Sequence, residues 1–146
     1  MAAAELQWRV DHAAHLGIEL RIEPHIGSIV PIPELVSALL EEVPGLRLTL
    51  DAGHFAFQAI ELDRILPLAR FAGHVHVSGA RAGGVHVTWV DNEIDFERLV
   101  PAVEAAGFTG RYCIEYVPMS KWGANATDVV GAVLDVRAAM SRLVQT

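Results

Sequence analysis

Four short runs in the chain alternate between apolar and polar side chains: Ile18–Glu23 (IELRIE), Leu46–Asp51 (LRLTLD), Ala72–Val77 (AGHVHV) and Gly110–Tyr116 (GRYCIEY). Alternation marks extended strands, because successive side chains point to opposite faces. Between them, apolar residues recur at helical spacing. Met1–Leu16 carries Leu6, Val10, Ala13 and Ala14 on one stripe, and Gly17 stands where a helix closes. Further helices are expected over about Glu34–Glu42, over Leu62–Arg70, from an Asp95 cap to Ala106, and from a Thr127 cap to about Leu143. Pro24–Pro33, Gly53–Ile60, Ser78–Glu93 and Val117–Ala126 read as loops. Ser78–Glu93 is long and holds Gly79, Gly83 and Gly84, which suggests a functional or mobile segment.

Helix and strand thus alternate, and that order implies a parallel sheet with right-handed crossovers. The two strand faces differ. One carries Ile18, Leu20, Ile22, Leu46, Leu48, Leu50, Val75, Val77, Tyr112, Ile114 and Tyr116; the other carries Glu19, Arg21, Glu23, Arg47, Thr49, Asp51, His74, His76, Arg111, Cys113 and Glu115. A doubly wound sheet, covered by helices on both sides, would be apolar on both faces. An apolar outer face under helices with a polar inner face suits barrel strands. Four βα units make half of a (β/α)8 barrel. The expectation is a single half-barrel domain over residues 1–146. It would be completed by a second copy in a homodimer or by a further N-terminal half, since an open half leaves two strand edges and a polar interior exposed.

Composition narrows the functional classes. The chain has 146 residues, 52% of them apolar, with mean hydropathy +0.33, enough for a real core. No uncharged apolar run is long enough to span a bilayer, so no membrane partner is expected. The single Cys113, with no recognisable export signal, suggests a reducing cytoplasm. A net charge of −7 argues against a nucleic-acid partner.

The candidate chemistry lies at the strand tips. Barrel enzymes of this type work at the C-terminal ends of their strands. Glu23, Asp51, His76 and Glu115 occupy those ends and share the inner face. Three carboxylates and one imidazole form a mixed oxygen and nitrogen donor set favouring Mn²⁺, Mg²⁺ or Co²⁺ and admitting Zn²⁺. His74 sits one inward step below His76, Cys113 one step below Glu115, and Trp89 and Trp122 lie in the two longer loops.

Taken in order, IEPH, LDAGH, HVHVSGAR, EIDF and FTGRYCIEY resemble the xylose isomerase-like TIM-barrel superfamily over its C-terminal half, strands five to eight. The resemblance implies one divalent metal held by Glu23, Asp51, His76 and Glu115. Glu23 and Glu115 would be the catalytic pair, moving protons on a small sugar or polyol through an enediolate. It further implies substrate contacts from His54 and Arg81. His25, two residues after the Glu23 tip, and Trp122, in a longer loop near the barrel mouth, are expected to line the pocket from their own positions. The activity expected is that of an isomerase or epimerase. The alternatives are an inosose-type dehydratase and an inactive half-barrel that binds metal or a partner. Two departures stand out. Ile29 occupies the place where ketose epimerases carry a second glutamate. His86 has Gly84 two residues before it, where the related endonucleases have an aspartate ligand.

Overall fold

The computed structural model describes residues 2–144. Its elements are α1 (Ala2–His15), β1 (Arg21–Ile22), α2 (Pro33–Glu42), β2 (Arg47–Asp51), α3 (Ala52–Phe57), α4 (Leu62–Ile65), β3 (Ala72–Val77), β4 (Gly79–Arg81), β5 (Gly84–Val87), α5 (Phe96–Ala105), β6 (Tyr112–Ile114) and α6 (Val129–Leu143). Strands β1, β2, β3 and β6 form a parallel sheet in that order, half of a TIM barrel. Leu48, Leu50, Val75 and Val77 are fully buried on its outer side. They join Val36 and Leu40 of α2, Leu99, Val100 and Val103 of α5 and Val136 of α6 in one core. Among the described residues no helix is long and apolar enough to cross a membrane.

The strand expected over Ile18–Glu23 pairs only at Arg21 and Ile22. The reason lies in the helix before it. Gly17, at φ +70°, donates to Ala14 O, and Ile18 donates to Ala13 O. This paired closure commits the Ile18 amide to α1 and delays the strand. The inner face is polar and open: Arg21, Arg111 and Cys113 are exposed, and Glu19 bonds Arg21 at 2.6 Å.

One irregularity sets the register of the central strands. Leu48 pairs with Ala72, but Thr49 pairs with His74, so Gly73 is an extra residue bulged into β3. A Cβ at Gly73 would lie 2.5 Å from Glu19 Oε1 and 2.8 Å from Arg21 Nε. Without the bulge, Asp51 would face Val75; with it, Asp51 faces His76.

Several loops prove more ordered than the sequence suggests. Gly53–Ile60, expected as a loop, is largely α3, because the Asp51 carboxylate accepts from Gly53 N at 2.7 Å and caps the helix. Ser78–Glu93 folds into the β4–β5 hairpin and a 3₁₀ turn at Trp89–Asp91, and the Tyr116 hydroxyl ties the hairpin to the end of β6. The helix expected over Leu62–Arg70 stops at Ile65 and continues as a 3₁₀ turn, since Pro67 removes an amide donor. Asp128, not Thr127, caps α6 by accepting from Gly131 N at 2.9 Å.

Candidate metal centre and active site

The four strand tips converge. One donor atom each from Glu23, Asp51, His76 and Glu115 lies within 4.8 Å of the other three. Asp51 and His76 sit side by side in the ladder of β2 and β3. Glu23 follows β1, and Glu115 follows β6 with its amide donating to Val77 O. His76 Nδ1 lies 2.8 Å from Glu23 Oε1 and 3.0 Å from Glu115 Oε2, so one imidazole joins both glutamates.

The electrostatics follow from burial and crowding. The hydrogen bond to Glu23, reinforced by the surrounding carboxylates, holds the His76 pKa above its ordinary value. The same bond holds Glu23 below the usual carboxylate range. Asp51 is buried, and desolvation with the nearby charges of Glu23 and Glu115 pushes its carboxyl up to about 7, although the Gly53 amide opposes this. The raised His76 pKa favours a positive charge on this ring among the three acids. A divalent cation would supply more of it, and a site of carboxylates with one imidazole fits such an ion.

His54, one turn into α3, is buried with Nε2 3.9 Å from Glu23 and 3.8 Å from Asp51. Burial, with His25 beside it, lowers its pKa to about 4, so the ring is neutral at physiological pH. Among the described residues its buried Nδ1 has no partner. The His25 ring packs on His54 with centroids 3.9 Å apart, and Trp122 lies 5.4 Å beyond. His54, His25 and Trp122 therefore form one wall beside the acids. Arg81 ends β4, and its guanidinium donates to the Ala82 carbonyl.

His86 is a residue whose position sequence reasoning missed. It is buried on β5 at φ +50°, its ring 5.8 Å from that of Tyr116, with Nδ1 unpartnered among the described residues. Burial lowers its pKa, while the charge of Glu115 opposes that shift. Its signal in the sequence is the GVHV alternation inside an apparent loop, which becomes informative only once the hairpin is known.

Solved structures share this arrangement of elements. D-allulose 3-epimerase from Methylomonas sp. in complex with D-allulose superposes with TM-score 0.76 at 19% identity, covering 97% of this chain and 54% of that one. A xylose isomerase-like TIM barrel protein from Mycobacterium smegmatis in complex with magnesium gives TM-score 0.68 at 15% identity, covering 95% and 50%. The 3-keto-D-glucoside 4-epimerase of E. coli gives 0.69 at 18%, covering 96% and 52%. The chain thus spans about half the length of these structures. A search of curated proteins finds no match. The family model for the xylose isomerase-like TIM barrel matches residues 1–137, and the chain belongs to that family.

Proposed function

We propose that this chain is the metal-binding, C-terminal half of a sugar or polyol isomerase or epimerase, equivalent to strands five to eight of the full barrel. The observation that carries the reading is the convergence of Glu23, Asp51, His76 and Glu115 at four strand tips. Those four residues would hold one divalent ion, with Mn²⁺, Mg²⁺ or Co²⁺ suited to the oxygen-rich set. When bound, the ion polarises substrate oxygens and makes the neighbouring C–H more acidic.

The protein's own groups supply the proton transfers. Glu23 and Glu115 approach His76 from the two edge strands, so their carboxylates would reach a sugar bound over the centre from two sides. One removes a proton to give the enediolate and the other returns a proton. Neutral His54 is suited to hydrogen-bond a sugar hydroxyl, and His25 with Trp122 offers a flat wall to its carbon face. The D-allulose held by one structural neighbour makes a ketose the first substrate to test, and an inosose the second. The open polar inner face and the edges at β1 and β6 support completion by a second copy of the chain. The lone cysteine supports a reducing, cytoplasmic setting.

The test is exchange of substrate carbon-bound hydrogen with D₂O in Mn²⁺-loaded protein, followed by NMR with ketoses and inososes. Wild type should exchange, and Glu23→Gln and Glu115→Gln should each lose exchange. Retained exchange in both variants, or none in the metal-loaded wild-type dimer, would overturn the reading.

A further inference from the structure

Directly below the four-residue centre, on the same inner face, lies a second cluster of donors with a different character. His74 and His76 are two residues apart on β3, so both project from that face. Cys113 is the register partner of His76 on β6. A ring nitrogen from each histidine and the Cys113 Sγ all lie within 4.8 Å of one another. The two imidazoles meet edge to face with centroids 5.2 Å apart. Cys113 is exposed, and among the described residues its thiol has no closer hydrogen-bonding partner than the Ile114 carbonyl at 4.0 Å.

We propose that His74, His76 and Cys113 form a second metal site for a thiophilic divalent cation, Zn²⁺ in chemical class, coupled to the first centre through their shared His76. The donor type separates the two sites. Three carboxylates and an imidazole favour a hard ion, whereas two imidazoles and a thiolate select a softer one. Donors bound tetrahedrally to zinc at its usual bond lengths stand roughly 3.3–3.6 Å apart, so side-chain rotations of about an ångström would close the site. The fourth position faces the open interior and would take water or an added ligand. On binding, the Cys113 S–H bond breaks, its proton passes to solvent, and the sulfur lone pair forms the bond to the metal without change of oxidation state. His76 is the hinge between the sites. An ion below draws its ring away from Glu23 and Glu115 and weakens the hold on a hard ion above.

The test uses the intact chain and Cd²⁺ as an optical probe. Titration should develop a thiolate-to-cadmium ultraviolet band saturating at one equivalent. Cys113→Ser should abolish the band, and His74→Gln should weaken Cd²⁺ binding at least tenfold. Mn²⁺ binding by Cys113→Ser, followed by electron paramagnetic resonance, should stay within twofold of wild type. In wild type, prior Cd²⁺ loading should lower Mn²⁺ affinity about tenfold, and this loss should vanish in Cys113→Ser. Absence of the band, or a band undiminished by His74→Gln, would overturn the site; Mn²⁺ affinity indifferent to Cd²⁺ would overturn the coupling. Failure of Mn²⁺ to bind while the cadmium band forms as described would instead remove the reading of the upper centre and leave this one standing.

Discussion

The middle of the sheet and its two edges hold their site residues in different ways. Asp51 and His76 stand on β2 and β3, each paired on both sides, and Asp51 is only 4% exposed. Its carboxylate is further fixed by the Gly53 amide. Glu23 and Glu115 extend beyond the short edge strands β1 and β6, and their side chains are 32% and 40% exposed. The central pair is held by ladder and cap, while the outer pair is held chiefly through His76. In the proposed mechanism this contrast would give a fixed floor to hold an ion and two adjustable arms to move a proton.

The sharpest test of that contrast is metal affinity by calorimetry. His76→Ala or Asp51→Asn should weaken Mn²⁺ binding by more than the ~10–100-fold typical of outer-shell partners. Asparagine keeps the helix cap, so the Asp51→Asn loss would reflect the charge. Glu23→Gln and Glu115→Gln should each cost only about tenfold, within that same range. Equal losses at centre and edge would erase the distinction.

Next in size is the bulge. Gly73→Val forces a side chain against Glu19 and Arg21. It should destabilise the fold by about 2 kcal/mol in urea unfolding and lower Mn²⁺ affinity with it. A stable variant with intact affinity would show that the register does not depend on a glycine there.

A smaller effect concerns pH. Because burial raises Asp51 to about 7, part of the metal-free protein carries a proton there at neutrality. Raised pKa values at Asp51 and His76 both mean that protons compete with metal, so Mn²⁺ affinity should climb as pH rises through about 7. Calorimetry in buffers of different ionisation enthalpy should register proton release at neutrality, and Asp51→Asn should reduce it. The smallest change is expected from Trp122→Ala. Loss of that wall should raise KM about three- to tenfold, roughly 1 kcal/mol, and leave kcat and metal affinity nearly unchanged.

What was legible in the sequence follows from how local each signal is. The inner row of Asp51, His74 and His76 could be read because alternation is a property of one strand at a time. Asp51, a candidate ligand by its place at the strand tip, has a local role that the structure shows: its carboxylate caps α3. The Gly73 bulge was not legible, since it exists only relative to β2. The β4–β5 hairpin was hidden for the same reason. Its strands are 3 and 4 residues long and gain their meaning from each other and from the Tyr116 hydroxyl. The late start of β1 was legible in principle, since Gly17 marks the helix end, but the following Ile18 amide looked free for the sheet.

The open inner face has a thermodynamic consequence. A sheet with one dry side and one wet side gains additional stability from whatever covers the wet side. If a second copy does so, folding and association become linked equilibria. The melting temperature is then a function of protein concentration, rising by mass action as the solution becomes more crowded with its own kind.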